Sequence, residues 1–241
     1  MMRSSNPALR ANTFRDLSVG NSSGEVMSIQ GTVNKTFILL FLTLLSASWV
    51  WSNPQNMKFV FPAAIIGFIV AIVTAFKKEL SPYTSPAYAL IEGVFLGGIS
   101  LVFERSYPGI VTRAVGLTFG VLFSLLLAYK SGAIKVTNNF RLGVVAATGG
   151  IAVFYLVSWV LRMFGIQIPF ISQATPIGIA FSVFVVIIAA LNLVLNFDLI
   201  ERGSKMNVPR YMEWYGAFSL MVTLIWLYIE ILILLSKLNR R

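Results

Sequence analysis

The chain has 241 residues, 57% of them hydrophobic and 12% charged, where a soluble domain carries roughly 25% charged residues, so the composition is that of an integral membrane protein. It holds no Cys and no His, which excludes disulfides, thiolate nucleophiles, serine triads, papain-like dyads and zinc–histidine proteolysis, and leaves carboxylates to carry any proton chemistry near neutral pH. The net charge of +10 comes mostly from Lys and Arg between apolar runs, a placement that sets topology and meets anionic headgroups rather than nucleic acid.

Residues 1–33 are rich in Ser, Asn and Gly and carry Arg3, Arg10 and Arg15. They read as a polar, disordered cytoplasmic tail, and the apolar region starts too far in for a cleavable signal peptide. Seven apolar runs follow, over about 34–52, 58–76, 86–104, 109–129, 142–162, 175–197 and 214–236. Each is close to the roughly 20 residues that cross the hydrocarbon as a helix. Only a helix lets a single segment satisfy its own backbone hydrogen bonds there. Trp49, Trp51, Trp159, Trp214 and Tyr215 fall at or near span ends, as interfacial aromatics should.

Lys and Arg orient the spans. The tail, the loop with Lys77 and Lys78, the loop with Lys130, Lys135 and Arg141, and the loop with Arg202, Lys205 and Arg210 alternate with poorer ones. The positive-inside bias therefore puts the N-terminus in the cytoplasm. Seven spans then leave the C-terminus outside, where Lys237, Arg240 and Arg241 run against the bias; an even span count would remove that conflict. "GVFLG" (Gly93, Gly97) and "GLTFG" (Gly116, Gly120) are patterns that let helices approach closely. No internal repeat of the transporter kind is visible.

Acids inside a span are the functional candidates. Asp16, Glu25 and Glu79 lie in the tail or a loop, Glu104 sits beside Arg105 at a span end, and Glu201 beside Arg202 reads as a loop charge. Glu92 is about six residues into span three, with Leu96 and Ser100 on its face and Gly93 and Gly97 beside it. It is either a functional acid or a carboxylate that only bonds neighbouring helices. Asp198 closes span six, where a carboxylate opposes the helix dipole, unless it simply meets the headgroups. In span seven Tyr215, Ser219, Thr223, Trp226 and Glu230 follow spacings of 4, 4, 3 and 4, a polar seam that should face protein or water. Glu230 is about 24 Å beyond Trp214 at 1.5 Å per residue, which separates it in depth from Asp198. A hairpin about Lys205–Met206 brings Asp198 level with Glu213 instead. Two carboxylates held close would form a proton-sensing pair; the alternative for Glu213 is an interfacial acid beside Trp214 and near Arg210.

Three stretches, "IEGVFLGGISL", "LNFDLIERG" and "AFSLMVTLIWLYIEILILL", together with the seven-span plan, resemble the Bax-inhibitor (transmembrane Bax inhibitor motif, YccA-like) family, and more narrowly its bacterial Bax-inhibitor-like branch. The resemblance covers nearly the whole chain after residue 33. It implies an all-α membrane fold of six helices wrapped around a central C-terminal seventh, and a bacterial inner-membrane location. It also implies, for some members, a pH-sensitive calcium leak gated by two aspartates, one ending span six and one in span seven. Asp198 matches the first. Aligning "LYIE" on the family's Leu-Tyr-Leu-Asp brings Glu230 to the second, but at too long a separation from Asp198. Keeping the separation lands near Val222 and Thr223, which do not titrate, and this register needs no insertion. The two-aspartate gate is therefore not expected intact, with Glu213 or Glu230 as the replacement acid or with a different gate in this branch. Glu92 matches an acid often seen in span three of the family.

Two functions follow as expectations. One is a proton-modulated cation leak, calcium for preference, since oxygen-only ligands suit a hard cation. The other is a non-conducting regulator that binds a membrane protease or another membrane protein. An enzyme is not expected, because an intramembrane aspartyl dyad would need a second Asp in or at a span. No cofactor and no firm metal site are expected; calcium would be cargo. The partner expected in every case is the lipid bilayer.

Overall fold

A computed structural model describes residues 26–165 and 174–240. Among the described residues seven α-helices run in order: α1 (Ile29–Ser52), α2 (Val60–Phe76), α3 (Ser81–Ser106), α4 (Ile110–Lys130), α5 (Asn138–Met163), α6 (Pro176–Lys205) and α7 (Met212–Asn239). Short 3₁₀ turns at Pro54–Phe59 and Lys78–Leu80 lead into α2 and α3. All seven helical segments are long and apolar enough to cross a membrane. Extended pairing among the described residues is limited to one isolated bridge, Val26 with Pro209. More than half of the apolar stretch of α7 is buried, 56%, against 11% for α5, so α7 is the most enclosed helix and α5 the most exposed.

The chain divides into two compact units: Met1–Val102 with Asn196–Val222, and Phe103–Leu195 with Thr223–Arg241. In the first, α1 packs on α3 through glycine. A methyl group on Gly97 would lie 2.6 Å from the carbonyl oxygen of Ala47, and one on Gly93 would lie 2.9 Å from the Cα of Thr43. Only a residue without Cβ lets the two backbones come that near. The second pattern does not behave this way. Gly116 and Gly120 are exposed, with no described atom near where a Cβ would stand.

Several boundaries differ from the sequence expectation, each for a local reason. The tail was expected to run to residue 33. Instead α1 starts at Ile29, because Ser28 caps it by accepting the N–H of Gly31. Ahead of the cap, the Met27 N–H donates to the Val208 carbonyl at 2.8 Å. The Met27 side chain is buried among Leu199, Ile200, Val208, Met212 and Tyr215. Residues 1–25 lie outside the described residues. α3 starts at Ser81 rather than 86 and keeps Pro86 inside, in its second turn, where the missing N–H leaves the Pro82 carbonyl without its helical donor.

α6 extends to Lys205, so Asp198 does not close it. Two further turns follow, held by Asp198–Arg202 and Glu201–Lys205 ion pairs at 2.9 and 2.5 Å, both i, i+4. Arg202 and Lys205 in the last turn also complement the helix dipole. Glu201 is thus a helix residue, not a loop charge. Glu104, in the second unit, is a cap rather than a plain interfacial charge. Its two oxygens accept the N–H groups of Gly109 at 2.5 Å and Val111 at 3.0 Å, at the start of α4.

Candidate functional site: the intramembrane carboxylates

The first unit holds Glu213, Glu92 and Asp198. Glu213 opens α7 and is 2% exposed. One of its oxygens accepts the Ser28 N–H at 2.9 Å and the Ser28 hydroxyl at 2.8 Å. The other takes the Lys35 ammonium, with Arg210 at 3.9 Å. The carboxylate therefore acts as an acceptor only, the pattern of an ionised group. It is seated on Gly31, where a methyl group would collide with it. Ser28, Gly31 and Lys35 follow a 3, 4 spacing along one face of α1, and that face meets the start of α7. The Lys35 ammonium also lies 5.5 Å from the Trp214 ring centre. A cleft of about 670 Å³ opens here, lined by Ser28, Asn34, Lys35, Arg210, Tyr211 and Trp214 among others. Burial and the nearby Glu79 carboxylate push the Tyr211 hydroxyl up from its ordinary range, so it stays protonated at neutral pH.

Asp198 accepts from Arg202. The two carboxylates that the sequence placed level with each other, Asp198 and Glu213, thus each have a cation at hand. The part of the expected seam nearer the start of α7 is tied to α6. The Ser219 hydroxyl donates to the Asn196 side-chain oxygen at 2.8 Å, and the Asn196 amide donates to the Ser219 carbonyl at 3.3 Å. Tyr215 is 1% exposed, under the Lys78 ammonium at 5.6 Å.

Glu92 is different. It is 9% exposed on α3, and it has no hydrogen bond or ion pair among the described residues. Gly67 of α2 faces it, so that a methyl group there would stand 2.8 Å from Glu92 Oε2. The small residue leaves the carboxylate room and offers it no side-chain donor. Tyr88, one turn back on α3, is a titratable neighbour that feels its charge, and that ring packs edge-on against Phe218 at 5.1 Å.

The second unit holds Glu230, 3% exposed on α7. The Tyr155 hydroxyl of α5 reaches both oxygens, at 3.0 and 3.2 Å, and the Trp226 indole N–H donates at 3.1 Å. Thr223, the seam residue between, is buried. Trp226 packs beside Ile151, Val185 and Ile188. No group of three Asp or Glu side chains that could hold a metal ion occurs among the described residues.

Sequence reasoning missed Ser28, which it left in the tail, Lys35, which borders the tail at the start of span one, and Tyr155 and Lys237. The spacing of Ser28, Gly31 and Lys35 was an available signal, as was the seven-residue step from Glu230 to Lys237 along α7. Nothing local marked Tyr155.

The Bax inhibitor 1 like family model matches residues 6–240. The chain belongs to that family. No curated protein and no solved structure matches it. Membership agrees with an all-helical protein of seven membrane-length segments. In this Bax inhibitor 1 like protein, Val222 and Thr223 of α7 carry no acid. The acids on α7 are Glu213, in its first turn, and Glu230, about two-thirds of the way along it.

Proposed function

We propose that this Bax inhibitor 1 like protein is a proton-modulated cation leak, calcium for preference, in a bacterial inner membrane with its N-terminus in the cytoplasm. The supporting observation is Glu92. A carboxylate kept within a membrane helix is expensive, and a structural role would give it a donor. Glu92 has no donor among the described residues, while Glu213 and Glu230 both do. An acid of that kind attracts a cation when ionised and loses that attraction when protonated. Oxygen ligands without thiolate or imidazole favour a hard cation.

The test is calcium flux into liposomes holding the purified protein, across acidic to mildly alkaline pH. Flux is expected to fall as pH drops, because protonation neutralises Glu92. Glu92→Gln is expected to give low flux that no longer depends on pH. The competing reading, a non-conducting regulator of a membrane protease or another membrane protein, draws on the structural employment of Glu213 and Glu230. Absence of flux at every pH from folded protein would select it.

A further inference from the structure

Lys237 was read from the sequence as a positive charge on the wrong side of the membrane. In the structure it is 3% exposed, inside α7. Its ammonium donates to the Gly178 carbonyl at 3.0 Å and to the Ser182 hydroxyl at 2.8 Å, both on the first turns of α6. Ser182 is itself 2% exposed. No carboxylate lies within ion-pair distance of Lys237 among the described residues. Its nearest acid is Glu230, two turns earlier on the same helix, whose oxygens are already engaged by Tyr155 and Trp226. Arg240 is the other charge it feels, and the Arg240 guanidinium donates to the Tyr107 hydroxyl at 2.6 Å.

A buried ammonium without a counter-ion is costly, and neutral oxygens offset only part of that. An apolar side chain of the same length would be cheaper at this place. What the ammonium touches is a carbonyl and a hydroxyl, with the Glu230 carboxylate farther along the helix. Those are the oxygen ligands that alkali and alkaline-earth cations take. Helical side chains lean toward the N-terminus, so the ammonium leans toward Glu230. We infer that Lys237 is a tethered cation: it fills an oxygen-lined cation site made by Gly178 and Ser182 beside Glu230, and keeps free cations out of it. Its consequence for conduction rests on the leak reading above; the site itself does not.

Lys237→Met removes the charge and keeps the length; Lys237→Arg keeps the charge. Both are compared with wild type in liposome flux of potassium, sodium and calcium. Unfolding temperature in detergent is followed as each chloride salt replaces choline chloride at constant ionic strength. The expected result is several-fold faster flux for Lys237→Met and an unfolding temperature that rises with cation concentration, neither of which Lys237→Arg shows. Wild-type flux that Lys237→Met leaves unchanged, with no cation-dependent stabilisation, overturns the inference and leaves the leak reading standing. No flux from any of the proteins overturns the leak reading, and the stabilisation then decides the site: present only in Lys237→Met, it supports the tethered cation; absent, it overturns it. If Lys237→Met does not fold, Lys237→Gln, which also removes the charge, is expected to shift both readouts the same way; no shift in either overturns the inference.

Discussion

Glu213 and Glu92 are both buried carboxylates of the same compact unit, yet one accepts from a backbone N–H, a hydroxyl and an ammonium, and the other from no described group. Their substitutions should therefore separate. Glu213→Gln strands the Lys35 ammonium and is expected to cost about 2–3 kcal/mol of stability, read as a lower unfolding temperature in detergent. Glu92→Gln breaks no such bond and is expected to change stability by less than about 1 kcal/mol while changing flux and its pH dependence. Equal unfolding temperatures for the two variants would sink this division of roles. Gly31→Ala should resemble Glu213→Gln, since its methyl group occupies the carboxylate's seat. The acids themselves were legible in the sequence, because a charge in an apolar run stands out. Their partners were not. Ser28 and Glu213 are 185 residues apart, and Tyr155 and Glu230 are 75 apart, and helical spacing tells which face a residue occupies but not what faces it.

At the scale of the helix, two identical glycine patterns have different surroundings. Gly97 of α3 meets the backbone of α1, and Gly116 of α4 is exposed. Gly97→Val is expected to destabilise by about 1–3 kcal/mol through overpacking. Gly116→Ala is expected to be neutral or to stabilise by about 0.5–1 kcal/mol, the gain from replacing glycine within a helix. Thermal unfolding of the two variants side by side checks this, and a loss with Gly116→Ala would show that α4 packs there after all. Helix existence was readable from apolar length. Helix ends were less so, because they depend on caps and ion pairs. Ser28 starts α1 early, and the Asp198–Arg202 and Glu201–Lys205 pairs carry α6 past the apolar run. That extension moved Asp198 from a helix end to a helix interior.

At the scale of the whole chain, seven membrane-length helices that each cross once would put successive connections on opposite sides of the membrane. The absence of Cys makes single-cysteine labelling clean. An impermeant maleimide added to intact cells is expected to label Asn53→Cys, between α1 and α2, and not Asn207→Cys, between α6 and α7. The reverse pattern would invert the topology, and labelling of both would defeat the assigned span count. Burial of Lys237 bears on the same count. A charge held by Gly178 and Ser182 is not a loop charge, so the C-terminal conflict with the positive-inside bias rests on Arg240 and Arg241 alone.

What the sequence by itself determined was the environment and the count of helices. A bilayer accepts a single span only as a helix, so apolar length is enough to place it, and length is a local property. The same local chemistry singled out Glu92, Asp198, Glu213 and Glu230 as charges needing an explanation. Tertiary structure decided the explanation for Glu92, Glu213 and Glu230, and a partner one turn along the same helix decided it for Asp198. Glu213 is clasped by Ser28 and Lys35, Asp198 by Arg202, Glu230 by Tyr155 and Trp226, while Glu92 faces a glycine. Most of those partners come from other helices, brought near by packing. The energy of a buried charge depends on the few atoms around it, and those atoms are seldom its neighbours in the chain.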